Sequence, residues 1–100
     1  MARGYNSTTG GGSFDDATIE AVWKKGTPEP SYPSFRKDGC GASMQRSKYG
    51  LTEQYGWEID HIMPVAKGGT DDLRNLQPLQ WENNRHKSDN YPQWACKIKS

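Results

Sequence analysis

The chain has 100 residues, enough for one small domain with a compact core and for one catalytic unit. Apolar residues make up 32%, mean hydropathy is −1.03 and net charge is +1, so neither an apolar membrane span nor the strong overall positive field of a tight non-specific DNA binder is present. Four Trp and five Tyr still supply large core-forming side chains, the pattern of a folded domain with a polar tail.

Residues 1–14, with Gly10-Gly11-Gly12 among Ser and Thr, carry no apolar period and are expected to form a flexible arm without a catalytic role. Met1 to Tyr5 lacks the apolar core of a secretion signal, which points to a cytoplasmic setting. Residues 15–100 are expected to make a single domain. Within it, Ile19, Val22 and Trp23 fall at helical spacing between leading acids and trailing lysines, so Asp15 to Lys25 reads as a short amphipathic helix stopped by Gly26. Three prolines make Thr27 to Pro33 a connector. Ser34 to Lys37 suits a strand start, Asp38 to Gly41 a tight turn, and Ala42 to Tyr49 a second short element. Cys40 and Cys96 lie far apart and in no C-x-x-C pair, so they read as small buried hydrophobes and signal neither a disulfide framework nor a zinc ribbon.

From Trp57, apolar and polar residues alternate to His61, which suits a strand ended by Pro64. Lys67 to Asp72 is a loop whose glycines permit positive φ. Asn75 to Leu79 reads as a short return strand held to an edge by Pro78, and Trp81 to Ser88 as a helix without Gly or Pro. The expected order is strand, long loop, strand, helix, in an α+β fold.

Adjacent Asp60 and His61 offer one phosphate two tools, an oxygen ligand for a hard cation and an imidazole for activating water. Neighbours on a regular strand point to opposite faces, so both serve one site only where the strand ends, twists or bulges. Asn84, Lys87 and Ser88 share a helical face, which lets Asn84 complete a metal site while Lys87 reaches a phosphate. Arg85 is a second candidate for phosphate contact. Asn75 is placed to hydrogen-bond across the long loop and hold the backbone carrying His61.

Asp60-His61-Ile62-x-Pro64, Gly68-Gly69, Asp72-Leu73-x-Asn75-Leu76 and Asn84-x-x-Lys87 together resemble the His-Asn-His (HNH) endonuclease motif. The resemblance implies a ββα-metal unit at about residues 56–90. It also implies Asp60 as first metal ligand, His61 as general base, Asn75 as the loop brace and Asn84 as final metal ligand, with 5′-phosphate and 3′-hydroxyl products. Asn84 departs from the family's histidine, and in this it is similar to the HNH domain of RNA-guided CRISPR nucleases. Trp57 to Asn90, with Asp38 to Gly41 upstream, further resembles small stand-alone HNH proteins of bacteria and their phages.

Two oxygen donors suit a hard divalent cation, so Mg²⁺ is expected, with Mn²⁺ able to substitute. The expected function is metal-dependent hydrolysis of phosphodiester bonds in DNA; the alternative is a non-catalytic nucleic-acid-binding ββα module. A structural zinc set of Cys40, Cys96, His61 and His86 matches no usual spacing. Glu58 shares a strand face with Asp60 and reads as an exposed carboxylate, His86 as solvated or DNA-facing, and Trp57 and Trp81 as packing the hairpin on the helix. With no separate recognition domain, modest specificity or reliance on a homodimer or protein partner is expected.

Overall fold

A computed structural model describes residues 4–99. The chain forms helix α1 (Asp16–Trp23), strands β1 (Thr27–Pro28), β2 (Phe35–Lys37), β3 (Ser43–Gln45), β4 (Trp57–His61) and β5 (Leu76–Gln80), and helix α2 (Trp81–Lys87). Single turns of tighter helix cover Arg46–Lys48, Val65–Lys67 and Leu73–Asn75. Two helices and two antiparallel sheets, ordered β1-β2-β3 and β4-β5, make the α+β fold expected from the sequence.

Helix α1 begins where the Asp15 carboxylate accepts the Thr18 amide at 2.8 Å, and it buries Ile19, Val22 and Trp23. Trp23 lies 5.0 Å from Trp57 between ring centroids, and both join Phe14, Met44, Ile59 and Leu76 in the core. Trp57 therefore packs against α1 rather than against the helix that follows its own hairpin, while Trp81 stays partly exposed beneath Arg85.

The proline-rich connector does contain an element. Thr27 and Pro28 pair with Lys37 and Arg36, with proline confined to an edge where its missing donor costs least. The turn after β2 is tight, as expected: Gly41, at φ +89°, donates to the Asp38 carbonyl at 2.9 Å.

Asp38 is the hub between the two sheets. Its Oδ1 accepts the amides of Cys40 and Ala42, both at 2.9 Å, and its Oδ2 accepts the Gln80 amide at 2.9 Å and Asn83 Nδ2 at 3.0 Å. Asn83, also buried, takes the Lys97 and Ile98 amides on Oδ1 and so anchors the C-terminal segment. Cys40 and Cys96 close this corner with a disulfide across 5.8 Å between Cα atoms, which overturns their reading as unpaired hydrophobes and removes them from any zinc set. Spacing did not signal the bridge because 56 residues separate the two cysteines, and the C-terminal return brings them together. No helix among the described residues is long and apolar enough to cross a membrane.

The expected flexible arm is corrected over its described part. Residues 4–14 lie against the domain: Phe14 is in the core, and Asn6 Oδ1 accepts both the Ile59 amide at 2.8 Å and the Tyr49 hydroxyl at 3.0 Å. Polar side chains that satisfy specific backbone groups hold this stretch, so apolar periodicity could not reveal it.

Strands β4 and β5 pair from Trp57↔Gln80 to His61↔Leu76, with Pro78 opposite Ile59. Gln80 ends β5 and starts α2 by accepting the amides of Glu82 and Asn83. Because Asp38 satisfies four donors in a buried corner, Asp38→Ala is expected to destabilise the protein by about 3 kcal/mol in urea unfolding. An unchanged midpoint would show that water replaces the carboxylate without penalty.

Candidate active site

Every residue of β4 is buried, and the strand's alternation divides its side chains between two environments. Trp57 and Ile59 enter the apolar core. Glu58 and Asp60 face α2, where Asn84, Arg85 and Lys87 meet them. His61 is the last residue of the strand, which ends there, and Asp60, His61 and Asn84 line one cavity of ≈ 210 Å³ together with Tyr5, Asn6 and Pro64. The three residues singled out in the sequence are thus brought together at the strand end, the condition that two adjacent strand residues require.

Asn84 is oriented by Glu58. Its Nδ2 donates to Glu58 Oε1 at 2.8 Å, and because a carboxylate only accepts, this bond fixes which end of the amide faces the strand. The amide oxygen is directed away from Glu58. Only 2% exposed, Glu58 also receives Arg85 Nη2 at 2.9 Å on its other oxygen. The exposed carboxylate expected at this position is in fact a buried anchor. Arg85 in turn lies over the Tyr5 ring at 4.7 Å, with its side chain still 41% exposed.

Lys87 departs further from expectation. It is 1% exposed, and its Nζ donates to the His61 carbonyl at 3.0 Å and to Asp60 Oδ1 at 3.4 Å. Facing inward at three residues' spacing from Asn84, it balances a buried carboxylate rather than reaching for nucleic acid. Gln77 Nε2 donates to Asp60 Oδ2 at 2.9 Å from the paired strand. Burial raises the Asp60 carboxyl above its ordinary value, and Gln77 and Lys87 offset that rise only in part.

His61, 4% exposed, places Nε2 at 2.7 Å from Asp71 Oδ1 and its ring 6.0 Å from Phe14. Asp71 also accepts from the Thr9 amide at 3.1 Å and the Thr9 hydroxyl at 3.0 Å. Burial pushes the Asp71 carboxyl up, but the hydrogen bonds from His61 and Thr9 outweigh it and hold it below the ordinary carboxylate value. Neither Asp71 nor Thr9 stood out in the sequence; a loop aspartate and a threonine among glycines carry no spacing signal.

Asn75 spans the long loop as the sequence suggested. Its Oδ1 accepts the Met63 amide at 2.8 Å, its Nδ2 donates to the carbonyls of Met63 at 3.1 Å and Thr70 at 2.9 Å, and its own carbonyl accepts the Ile62 amide at 2.8 Å. The two glycines of the loop have different uses. Gly68 adopts φ +95°, whereas Gly69 is required by crowding, since a Cβ there would sit 1.7 Å from the Met63 carbonyl oxygen.

The donors fit a hard cation. Asp60 supplies carboxylate oxygen, the Glu58 anchor leaves Asn84 with an amide oxygen that no described donor engages, and no cluster of three His, Cys, Asp or Glu suited to a metal occurs among the described residues. A short all-oxygen set suits an ion that keeps several of its own waters, as Mg²⁺ does.

An HNH endonuclease family model matches residues 39–90, more than half of the chain. No curated protein and no solved structure matches it.

Asn75→Ala removes three side-chain hydrogen bonds from the loop and leaves the Met63 amide without its acceptor. It is expected to cost about 2 kcal/mol and to speed hydrogen exchange at Met63 well beyond that in β4. Uniform exchange across both segments would contradict a bracing role.

Proposed function

Because the chain belongs to the HNH endonuclease family, we propose that it is a metal-dependent endonuclease that hydrolyses phosphodiester bonds in DNA. The observation that carries this reading is the meeting of Asp60, His61 and Asn84 around one cavity, with the Asn84 amide turned by Glu58. Asp60 and Asn84 would hold one divalent ion, Mg²⁺ in preference and Mn²⁺ as a substitute, through oxygen alone. When bound, the ion would supply positive charge to offset the negative charge developing on the phosphate and the departing 3′ oxygen.

The chain's own residues do the rest. His61 takes a proton from water as the water oxygen forms its bond to phosphorus, and the bond from phosphorus to the 3′ oxygen breaks. The departing 3′ oxygen takes a proton from solvent water, so the products carry 5′-phosphate and 3′-hydroxyl ends. Asn75 keeps the loop closed beside His61, and Lys87 keeps the buried Asp60 carboxylate charge-balanced. Lys87 is enclosed, so DNA contact falls to exposed groups, Arg85 among them, whose side chain stays 41% exposed beside Glu58.

Purified protein is expected to nick or cut supercoiled plasmid with Mg²⁺ or Mn²⁺ and to stop on addition of EDTA. His61→Ala should lower the rate by about 10²- to 10⁴-fold while leaving the fold intact. Cleavage by this variant at the wild-type rate would remove His61 from the base role, and binding without any metal-dependent cleavage would favour a non-catalytic module. Loss of the amide anchor in Glu58→Ala should raise the Mg²⁺ concentration for half-maximal cleavage by about 10- to 100-fold. An unchanged requirement would dissociate Glu58 from the ion site.

A further inference from the structure

We propose that Asp71, clamped by Thr9 of the N-terminal segment, is a positioning residue that sets the proton placement and aim of the His61 ring. The inference rests on the nuclease reading for its catalytic consequence, and on geometry alone for the positioning itself.

Only one ring nitrogen of His61 has a described partner. A carboxylate accepts and cannot donate, so the 2.7 Å contact from Nε2 to Asp71 Oδ1 calls for a proton on Nε2, and in the neutral ring the lone pair is then on Nδ1. A histidine that must take a proton from water needs one nitrogen unprotonated and held in a fixed direction. Backbone placement by Asn75 sets where the residue starts, but rotation of the ring about its side-chain bonds is left open. Asp71 closes that freedom from the far side of the loop, and Phe14 lies beside the ring.

Asp71 is itself on a loop, where a lone carboxylate would swing. Thr9 prevents this by donating twice, from its amide to both carboxylate oxygens at 3.1 and 3.2 Å and from its hydroxyl to Oδ2 at 3.0 Å. Thr9 is in turn held between two anchors of the same segment, Asn6 on β4 and Phe14 in the core. The N-terminal stretch is thereby a working part of the site, joined to His61 through one carboxylate.

Two readouts on the full-length protein test this. The first is the ring N–H resonance of His61 in ¹⁵N-edited spectra. In the wild type an Nε2-bound proton should appear far downfield and exchange slowly with water. It should vanish in Asp71→Ala, move upfield in Asp71→Asn, which keeps the shape and a neutral acceptor, and broaden in Thr9→Val. It should persist in Asp72→Ala, which alters an exposed neighbour. The second readout is plasmid cleavage, where Asp71→Ala should lower kcat by about 10- to 100-fold with KM nearly unchanged and Asp71→Asn should recover part of the loss.

A His61 ring signal and kcat both indifferent to Asp71→Ala and Asp71→Asn would overturn the proposal, as would a proton found on Nδ1. A wild-type protein that shows the Asp71-dependent signal but cleaves nothing would sink the nuclease reading and leave the positioning in place.

Discussion

The structure depends on a strand that is buried on both faces while carrying two carboxylates. All five residues of β4 are buried, so Glu58 and Asp60 must be compensated from within. Arg85, Asn84, Lys87 and Gln77 do this, and three of those four stand on α2. The helix is therefore docked by charge and amide pairing on one side of the strand, while Trp23, Trp57 and Ile59 pack the other side by apolar burial. Fold and candidate site share the same atoms, because the contacts that dock α2 also orient the Asn84 amide and balance Asp60.

Loops around this core are held by single polar side chains, each satisfying several backbone groups. Asp38 joins the turn after β2 to the start of α2, Asn75 closes the loop between β4 and β5, and Asn6 joins the N-terminal segment to β4. In a chain this short and polar, such hubs fix loop geometry where apolar surface is scarce. The disulfide between Cys40 and Cys96 adds a covalent tie at the Asp38 corner, where the C-terminal segment returns beside Asn83.

Elements carried by local pattern were legible in the sequence. The helix at Asp16–Trp23, the hairpin of β4 and β5 and helix α2 follow from apolar spacing, proline placement and caps, and each lies within a few residues of its expected bounds. Asp60, His61, Asn75 and Asn84 were legible as a spaced set. What escaped notice were partnerships between segments distant in sequence: Thr9 with Asp71, Asn6 with Ile59, Asp38 with Asn83 and Cys40 with Cys96. Lys87 differs from its expected outward role for a related reason. Helical spacing tells which face a residue occupies but not whether that face meets solvent or a buried carboxylate.

In the proposed site Asp60 and Asn84 would hold a divalent ion by oxygen alone, with the Asn84 amide turned by Glu58. The most direct measurement is an anomalous difference map from crystals grown with Mn²⁺. One peak is expected in the cavity, about 2.1 Å from both an Asp60 carboxylate oxygen and the Asn84 amide oxygen. A peak bound elsewhere, or one that excludes Asn84, would contradict it.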